Sequence, residues 1–156
     1  MTKRADAPVV ESILNRSFAS RREVIDAIGT VLLGSSSVTP AYVEGMHRKE
    51  EQGGTIVTAE VALPHGTSDV NHAVLRNAVV IVPIPHGIEW MPGRQVRLAI
   101  GFAGTGDQAH LRLIAALARA LSDERLVSRL KRATEPGDVA GLVEHLVDSS
   151  SRIPTP

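Results

Sequence analysis

Apolar positions along this chain recur at two spacings, and the switches between them mark its elements. Val9 to Leu14 opens with adjacent β-branched residues and reads as a short strand. Ser20-Arg21-Arg22-Glu23 has the spacing of a capping box, in which the serine oxygen takes a backbone N–H while the glutamate reaches back. The helix it opens carries Val24, Ile25, Ile28, Val31 and Leu32 on one stripe, and Gly34 followed by serines ends it. Thr39 as N-cap, with Pro40 at the first helical position, predicts a second helix through Tyr42, Val43 and Met46 towards Glu51. Gly53-Gly54 breaks it.

The spacing then changes. Thr55 to Ala62 is rich in β-branched residues and predicts a strand, stopped by the turn Pro64-His65-Gly66. Asn77 to Val82, apolar after its first residue and bounded by Pro83, predicts a buried strand. Val96 to Phe102 predicts another, after Pro92-Gly93. Gly104-Thr105-Gly106-Asp107 leads into a helix whose buried face is expected to be Leu111, Ile114, Leu117, Ala118 and Leu121. Ser122 is expected to cap a further helix with Leu126, Val127 and Leu130 inward, and Pro136 to open the last, with Val139, Leu142, Val143 and Leu146. The order β-α-α-β-β-β-α-α-α predicts an α/β fold, a mixed β-sheet sandwiched between helical layers.

Composition narrows the function classes. The 156 residues suit one domain with a real core, expected over residues 9–148 between flexible tails at 1–8 and 149–156. With Phe18, Tyr42, Trp90 and Phe102 as the aromatics, aliphatic side chains must build most of that core. The formal net charge is zero, which removes the basic signature of a nucleic-acid binder. A basic excess over residues 94–132 falls on helical segments with interleaved acids and reads as a solvated helix face. Without cysteine, thiolate metal sites, disulfides and cysteine nucleophiles are excluded. No apolar run approaches the ~20 residues of a membrane span, and no signal peptide is visible, so a cytoplasmic protein without direct membrane insertion is expected.

The remaining candidates for chemistry are six histidines and an arginine. His145 sits near the expected end of the last helix, where a cation suits the dipole, and His47 and His72 have no evident partner. His65 comes directly off a predicted strand end, between a proline that restrains the backbone and a glycine that admits a second molecule. An ordinary polar turn is the competing account of so short a motif. His86 stands in a second Pro-His-Gly, Pro85-His86-Gly87, and local pattern does not choose between the copies; a metal site is not expected, since no carboxylate stands at ligand spacing. With Asp107 as N-cap, His110 falls at the third helical position, where free N–H groups make an anion site and the dipole keeps the imidazole neutral. A histidine packed at a helix start is the alternative. Arg48, near the end of the second helix beside Lys49, Glu50 and Glu51, reads either as helix-end ion pairing or as a planar fork for a phosphate.

Together these residues resemble a known family. The run Val38-Thr39-Pro40-Ala41-Tyr42-Val43-Glu44-Gly45-Met46-His47-Arg48, then Thr55 and Ala62-Leu63-Pro64-His65-Gly66-Thr67, resembles the enzyme IIA domain of the bacterial phosphotransferase system, mannitol/fructose superfamily, and within it the mannitol type. The likeness continues through Pro85-His86-Gly87-Ile88 and Val96-Arg97-Leu98-Ala99-Ile100-Gly101 to Asp107-Gln108-Ala109-His110-Leu111, roughly Ser12 to Val147 in all. It implies a phosphotransferase/anion-transport-protein-like fold and a phosphohistidine relay. His65 would take a phosphoryl group from the phosphocarrier HPr on Nε2 and give it to a cysteine of enzyme IIB, with His110 and Arg48 assisting at the phosphate. Enzyme IIC, in the membrane, would be an indirect partner, and no cofactor or metal is implied. The chain departs from the pattern at Lys49, where the family often has glutamate after the arginine, and at Thr58, commonly glycine. Both stand beside the matched site and bear on partner choice. The physics agrees: a neutral imidazole is a good phosphoryl acceptor near pH 7, and phosphoryl transfer asks chiefly for positioning and charge compensation. Two other classes stay open, a regulatory nitrogen-type enzyme IIA that controls partners by its phosphorylation state, and an inert binding module.

Overall fold

The computed structural model describes residues 7–151, with side chains through Val147. Its elements are β1 (Val9–Ser12), α1 (Arg21–Gly34), α2 (Pro40–Gln52), β2 (Ile56–Thr58), β3 (Val61–Ala62), β4 (Ala78–Met91), β5 (Arg94–Ala103), α3 (Asp107–Leu121), α4 (Glu124–Lys131) and α5 (Ala140–Ser151). One mixed sheet has the order β1-β4-β5-β3-β2, with β1 parallel to β4, β3 parallel to β5, and the other neighbours antiparallel.

Alternation along the central strands divides the core in two. Ala78, Val80 and Val82 of β4, with Ala99 and Ala103 of β5, face α1 and α2. Val79 and Ile81, with Leu98, Ile100 and Phe102, face α3, α4 and α5. The sheet is therefore buried on both faces, the expected α/β/α sandwich.

Capping fixes the helix starts. Ser20 Oγ accepts from Glu23 N at 3.2 Å, while the Glu23 carboxylate reaches back to Ala19 N at 2.6 Å, one residue before the cap. Thr39 is the N-cap of α2 but makes no side-chain bond there, so Pro40 carries the start. Ser122 ends α3, bonding back to Ala118 O; the cap of α4 is Asp123, which accepts from Arg125 N and Leu126 N. Pro136 opens a short 3-10 turn, Pro136–Val139, and α5 follows it.

Several sequence expectations are corrected. The strand expected at Thr55–Ala62 is a tight hairpin, because the chain reverses at Ala59-Glu60 with Glu60 at φ 67°. Arg97 Nε and Lys131 Nζ, at 2.6 and 3.1 Å from its carboxylate, hold that residue in place. The strand expected at Asn77–Val82 runs on to Met91. β1 pairs only as far as Ile81, so Pro83 and Pro85 lie beyond that neighbour, where a missing N–H costs no ladder bond to β1. β1 itself stops at Ser12, short of Leu14. In α3 the buried residues are Ala109, Leu113, Ala116, Leu117 and Ala120, while Leu111 and Ala118 are exposed. Alanines make this helix apolar on most sides, so periodicity alone misplaced the stripe. Of the expected tails, 1–6 and 152–156 lie outside the described residues, and 149–151 continue α5.

Candidate functional site

His65 is carried on a short extension of the sheet. Leu63 N donates to Thr55 O at 2.9 Å, and Phe102 N donates to Pro64 O at 3.1 Å, so hydrogen bonding continues past β3 to the residue before the histidine. The ring is then fixed by one further bond. Its Nδ1 lies 2.7 Å from Leu63 O. A carbonyl oxygen only accepts, so Nδ1 carries the proton and Nε2 keeps its lone pair.

Phe102 forms the floor. Its ring centroid is 4.8 Å from that of His65 and 5.2 Å from that of His110, and the two imidazoles are 5.4 Å apart, edge to face. From the opposite side of the sheet, the buried Tyr42 hydroxyl donates to Phe102 O at 2.8 Å. Burial pushes the Tyr42 phenol up to about 12, against an opposing backbone hydrogen bond from Gly66, so it stays a donor at neutral pH.

Two glycines set the spacing. A Cβ on Gly66 would lie 2.8 Å from the Tyr42 ring, and one on Gly104 would lie 2.6 Å from His110 N, a backbone atom that cannot swing away. Gly106 is the N-cap of α3, at φ 92°. This corrects the expected start: Asp107 is the first helical residue and His110 the fourth. The His110 N–H is also spent, donating to Gly106 O at 3.0 Å, so the ring rather than the backbone N–H is what His110 presents. Asn71 Nδ2, from the 3-10 turn Ser68–Ala73, donates to Asp107 Oδ1 at 3.2 Å and ties this start to the His65 loop.

Arg48 reaches the same loop from α2. Its guanidinium donates to Thr67 Oγ1 at 3.4 Å and Asp69 Oδ2 at 3.3 Å, both long, exposed contacts. Its partners are thus two residues of the loop following His65, and His65 itself is not one of them. The neighbouring Glu50 is buried and accepts from Thr55 N, Thr55 Oγ1 and Trp90 Nε1 at 2.9, 2.7 and 2.9 Å, pinning the last turn of α2 to β4.

The other histidines lie elsewhere. His86 is exposed on the bend of β4 and lines a separate cavity of about 200 Å³ with residues of the loop after β1. His47, expected to lack a partner, meets Asp26 at 2.8 Å and joins α2 to α1. His72 is exposed in the 3-10 turn, and His145 lies in the middle of α5 rather than near its end, because the helix continues to Ser151. Sequence reasoning missed Phe102, Tyr42 and Lys49 as parts of the site. Spacing offered one signal, since Lys49 stands two helical turns beyond Tyr42 on one face.

Burial lowers the proton affinity of both imidazoles. For His65 desolvation dominates, opposed by the Leu63 carbonyl and Glu50 and reinforced by His110 and Lys49. For His110 desolvation again comes first, with Asp107 opposing and Lys49 reinforcing. Both rings are neutral near pH 7, as a nucleophile and a hydrogen-bonding neighbour require. The sign of the linkage follows: below their ordinary value of 6.5 the unfolded chain binds protons that the folded chain refuses. Stability is therefore complete above that pH and declines as pH falls through the lowered native values. The urea midpoint is expected to drop between pH 7 and pH 5, less steeply in His65→Gln. A midpoint with the same slope in both proteins would refute this assignment.

An open groove of about 700 Å³ adjoins Leu63, between the β2–β3 hairpin and helices α3 and α4, with Val57, Ile114 and Ala118 along it and Glu124 and Lys131 at its edge. Val57 is 54% exposed, so this face offers apolar surface beside the histidine loop.

The chain is similar to known proteins over most of its length. Residues 10–145 match the family model described as phosphoenolpyruvate-dependent sugar phosphotransferase system, EIIA 2. The chain is 34% identical over 124 residues to a multiphosphoryl transfer protein of Salmonella typhimurium, covering 80% of this chain but only 33% of that protein. It thus spans about a third of the length of that relative. It is 31% identical to a mannitol-specific phosphotransferase enzyme IIA component of Staphylococcus aureus, covering 84% of this chain and 90% of the relative. Among solved structures, enzyme IIAMTL of Escherichia coli, in its complex with phosphorylated enzyme IIBMTL, superposes with a TM-score of 0.78 at 30% identity, over 86% of this chain and 94% of that one.

Proposed function

From the premise that this chain belongs to the EIIA 2 family of the phosphoenolpyruvate-dependent sugar phosphotransferase system and is a phosphotransferase of that relay, we propose that it carries the phosphoryl group on His65, between HPr and a cysteine of a mannitol-type enzyme IIB. The observation that carries this reading is the 2.7 Å bond from His65 Nδ1–H to Leu63 O, which leaves Nε2 unprotonated in a half-buried site.

The relay balances without any other group. The Nε2 lone pair attacks the phosphorus of the donor phosphohistidine; the Nε2–P bond forms as the donor N–P bond breaks, and the donor imidazole leaves neutral. In the second step a cysteine thiolate attacks the same phosphorus. An S–P bond forms, the Nε2–P bond breaks, and His65 leaves as the neutral ring it was, its proton on Nδ1 throughout. The Leu63 carbonyl keeps that proton in place during both steps. Phe102 holds the ring plane, and His110 and Arg48 supply donors to the phosphoryl oxygens, a task of positioning and charge compensation.

These 156 residues include no cysteine, so the acceptor of the second step is not among them. Among the described residues no helix is long and apolar enough to cross a membrane, so sugar movement falls to an enzyme IIC reached through IIB. Donor and acceptor must meet one imidazole, so their footprints overlap and their binding is mutually exclusive. Interfaces below about 1,200 Å² suit such brief encounters. The test is to load the protein with phosphorylated HPr, follow its intact mass, and then add enzyme IIB. Gain of a phosphoryl mass and its loss to the IIB cysteine are expected. Loading without discharge onto any IIB, with phosphorylation-dependent binding of a non-transport protein, would replace this reading by the regulatory one; no loading at all would leave an inert binding module.

A further inference from the structure

We propose that the cavity at the second Pro-His-Gly is a binding site for a small aromatic carboxylate, with the ring on an apolar floor and the anion held at the mouth by Arg16 and His86. The cavity arises where β1 leaves the sheet. Val9 N and Ile13 N donate to Asn77 O and Ile81 O at 2.8 and 2.9 Å, so alternate residues of β4 face that edge. The next in the series is Pro83, which brings no N–H to continue the pairing. β4 then loses register with β5 between Pro83 and Ile88, and a gap of about 200 Å³ opens between this bend and the loop after β1. Both walls are fixed before any ligand arrives. Asn15, at φ 58°, donates from Nδ2 to Thr134 O at 2.9 Å, tying the loop to the turn after α4. Opposite, Pro85 O accepts from Arg97 Nη1 at 2.7 Å, and Gly87 sits at φ 71°, where a Cβ would lie 2.7 Å from Gln95 Oε1. A preformed cavity spares the ligand much of the ordering cost of binding.

Its chemistry divides with depth. Phe18, Ile84, Ile88 and Ala133 are buried and apolar, while Arg16 and His86 are exposed at the mouth. An apolar cavity of about 150 Å³ takes a benzene ring, so this one has room for a ring and one small substituent. No aspartate or glutamate lines it, and the substituent that suits two basic side chains is an anion. The Arg16 guanidinium lies 5.1 Å over the Phe18 ring and makes no ion pair or hydrogen bond among the described residues. Its planar fork is therefore open to a carboxylate, which it matches through two parallel N–H donors. His86 also makes no hydrogen bond among the described residues, and its ring offers an N–H in either tautomer. A peptide joining the sheet as a strand is a poorer occupant, since Pro83 gives that edge no donor. The cavity is separate from the Phe102 floor, and phosphoryl transfer at His65 calls on neither Arg16 nor His86.

The experiment titrates sodium benzoate into the full chain and follows backbone amide and histidine ring shifts by NMR. Acetate, which lacks the ring, and benzamide, which lacks the charge, are the matched probes. Benzoate is expected to shift the loop after β1 and the bend of β4 and to saturate with a Kd of about 1 mM. Acetate and benzamide should each bind at least about tenfold more weakly. Arg16→Gln and His86→Gln change exposed side chains, and thermal midpoints equal to wild type will show that both fold. Each should weaken benzoate, the arginine change by about tenfold, the loss of one charge-assisted contact. Benzoate that shifts nothing in this loop and bend would overturn the proposal. So would equal binding by wild type and Arg16→Gln, or acetate or benzamide binding as tightly as benzoate.

Discussion

His65→Gln is expected to give a folded protein whose mass does not change on incubation with phosphorylated HPr. The loss should be complete because nothing else in the site can replace Nε2. His110 shares the aromatic floor but lacks the Leu63 carbonyl that fixes the His65 tautomer. Glutamine is short of a nucleophilic nitrogen, yet it retains an amide able to donate in the loop, and position 65 is only half-buried, so the fold should survive. Circular dichroism with a thermal scan checks the second point, and intact mass the first. His86→Ala is the matching control. It should load as wild type, because His86 sits in a different cavity on the bend of β4. Should His65→Gln gain a phosphoryl mass and His86→Ala fail to, the wrong Pro-His-Gly was assigned.

The largest effect on stability is expected from Phe102→Ala. The ring is fully buried in the half of the core shared with α3, α4 and α5, and truncation there costs about 3–5 kcal/mol from lost burial and a residual cavity. Phe102→Leu, which refills most of that volume, should cost far less. The effect on the site is separate and equally readable. Phe102 lies 4.8 and 5.2 Å from the two imidazoles, so its removal takes away the surface on which both rings are oriented. Urea unfolding followed by circular dichroism gives the first number, and the proton shifts of the two histidine rings report the second. A loss below about 1 kcal/mol would mean that the surrounding side chains collapse into the gap, a result the range of measured core truncations makes the least expected.

Much of this was legible before any coordinates. Ser20-Arg21-Arg22-Glu23 and Thr39-Pro40 carry local signals, and the helices they mark start where the sequence puts them. Errors fell where distant residues decide. Thr55–Ala62 has strand composition throughout, and only Arg97 and Lys131, far along the chain, reveal that Glu60 is a corner. Pro83 looked like a strand end because a proline in a central strand loses a ladder bond; it is tolerated because β1 has stopped by then. Gly106 displaced Asp107 as cap because a glycine at φ 92° lets the chain turn in before the acid. Within the site, a motif could nominate His65, His110 and Arg48. The Phe102 floor under His65 and the Tyr42 bond through the sheet depend on contacts across 37 and 60 residues of chain, which no local pattern encodes, while the protonated nitrogen of His65 depends on a carbonyl two residues back that only the folded turn presents to the ring.

The buried bond between Trp90 and Glu50 has a practical consequence. The chain holds one tryptophan, so its tryptophan emission has a single origin, the seam where the last turn of α2 meets β4. That turn also carries Lys49, and Glu50 itself contributes to the field at His65. An indole donating to a buried carboxylate reports changes in that carboxylate's surroundings through its colour and quantum yield. Phosphorylation of His65 is therefore expected to change the tryptophan emission, and a stopped-flow trace that follows loading by phosphorylated HPr without an attached dye checks it; an emission unchanged on loading would show that the seam does not sense the histidine.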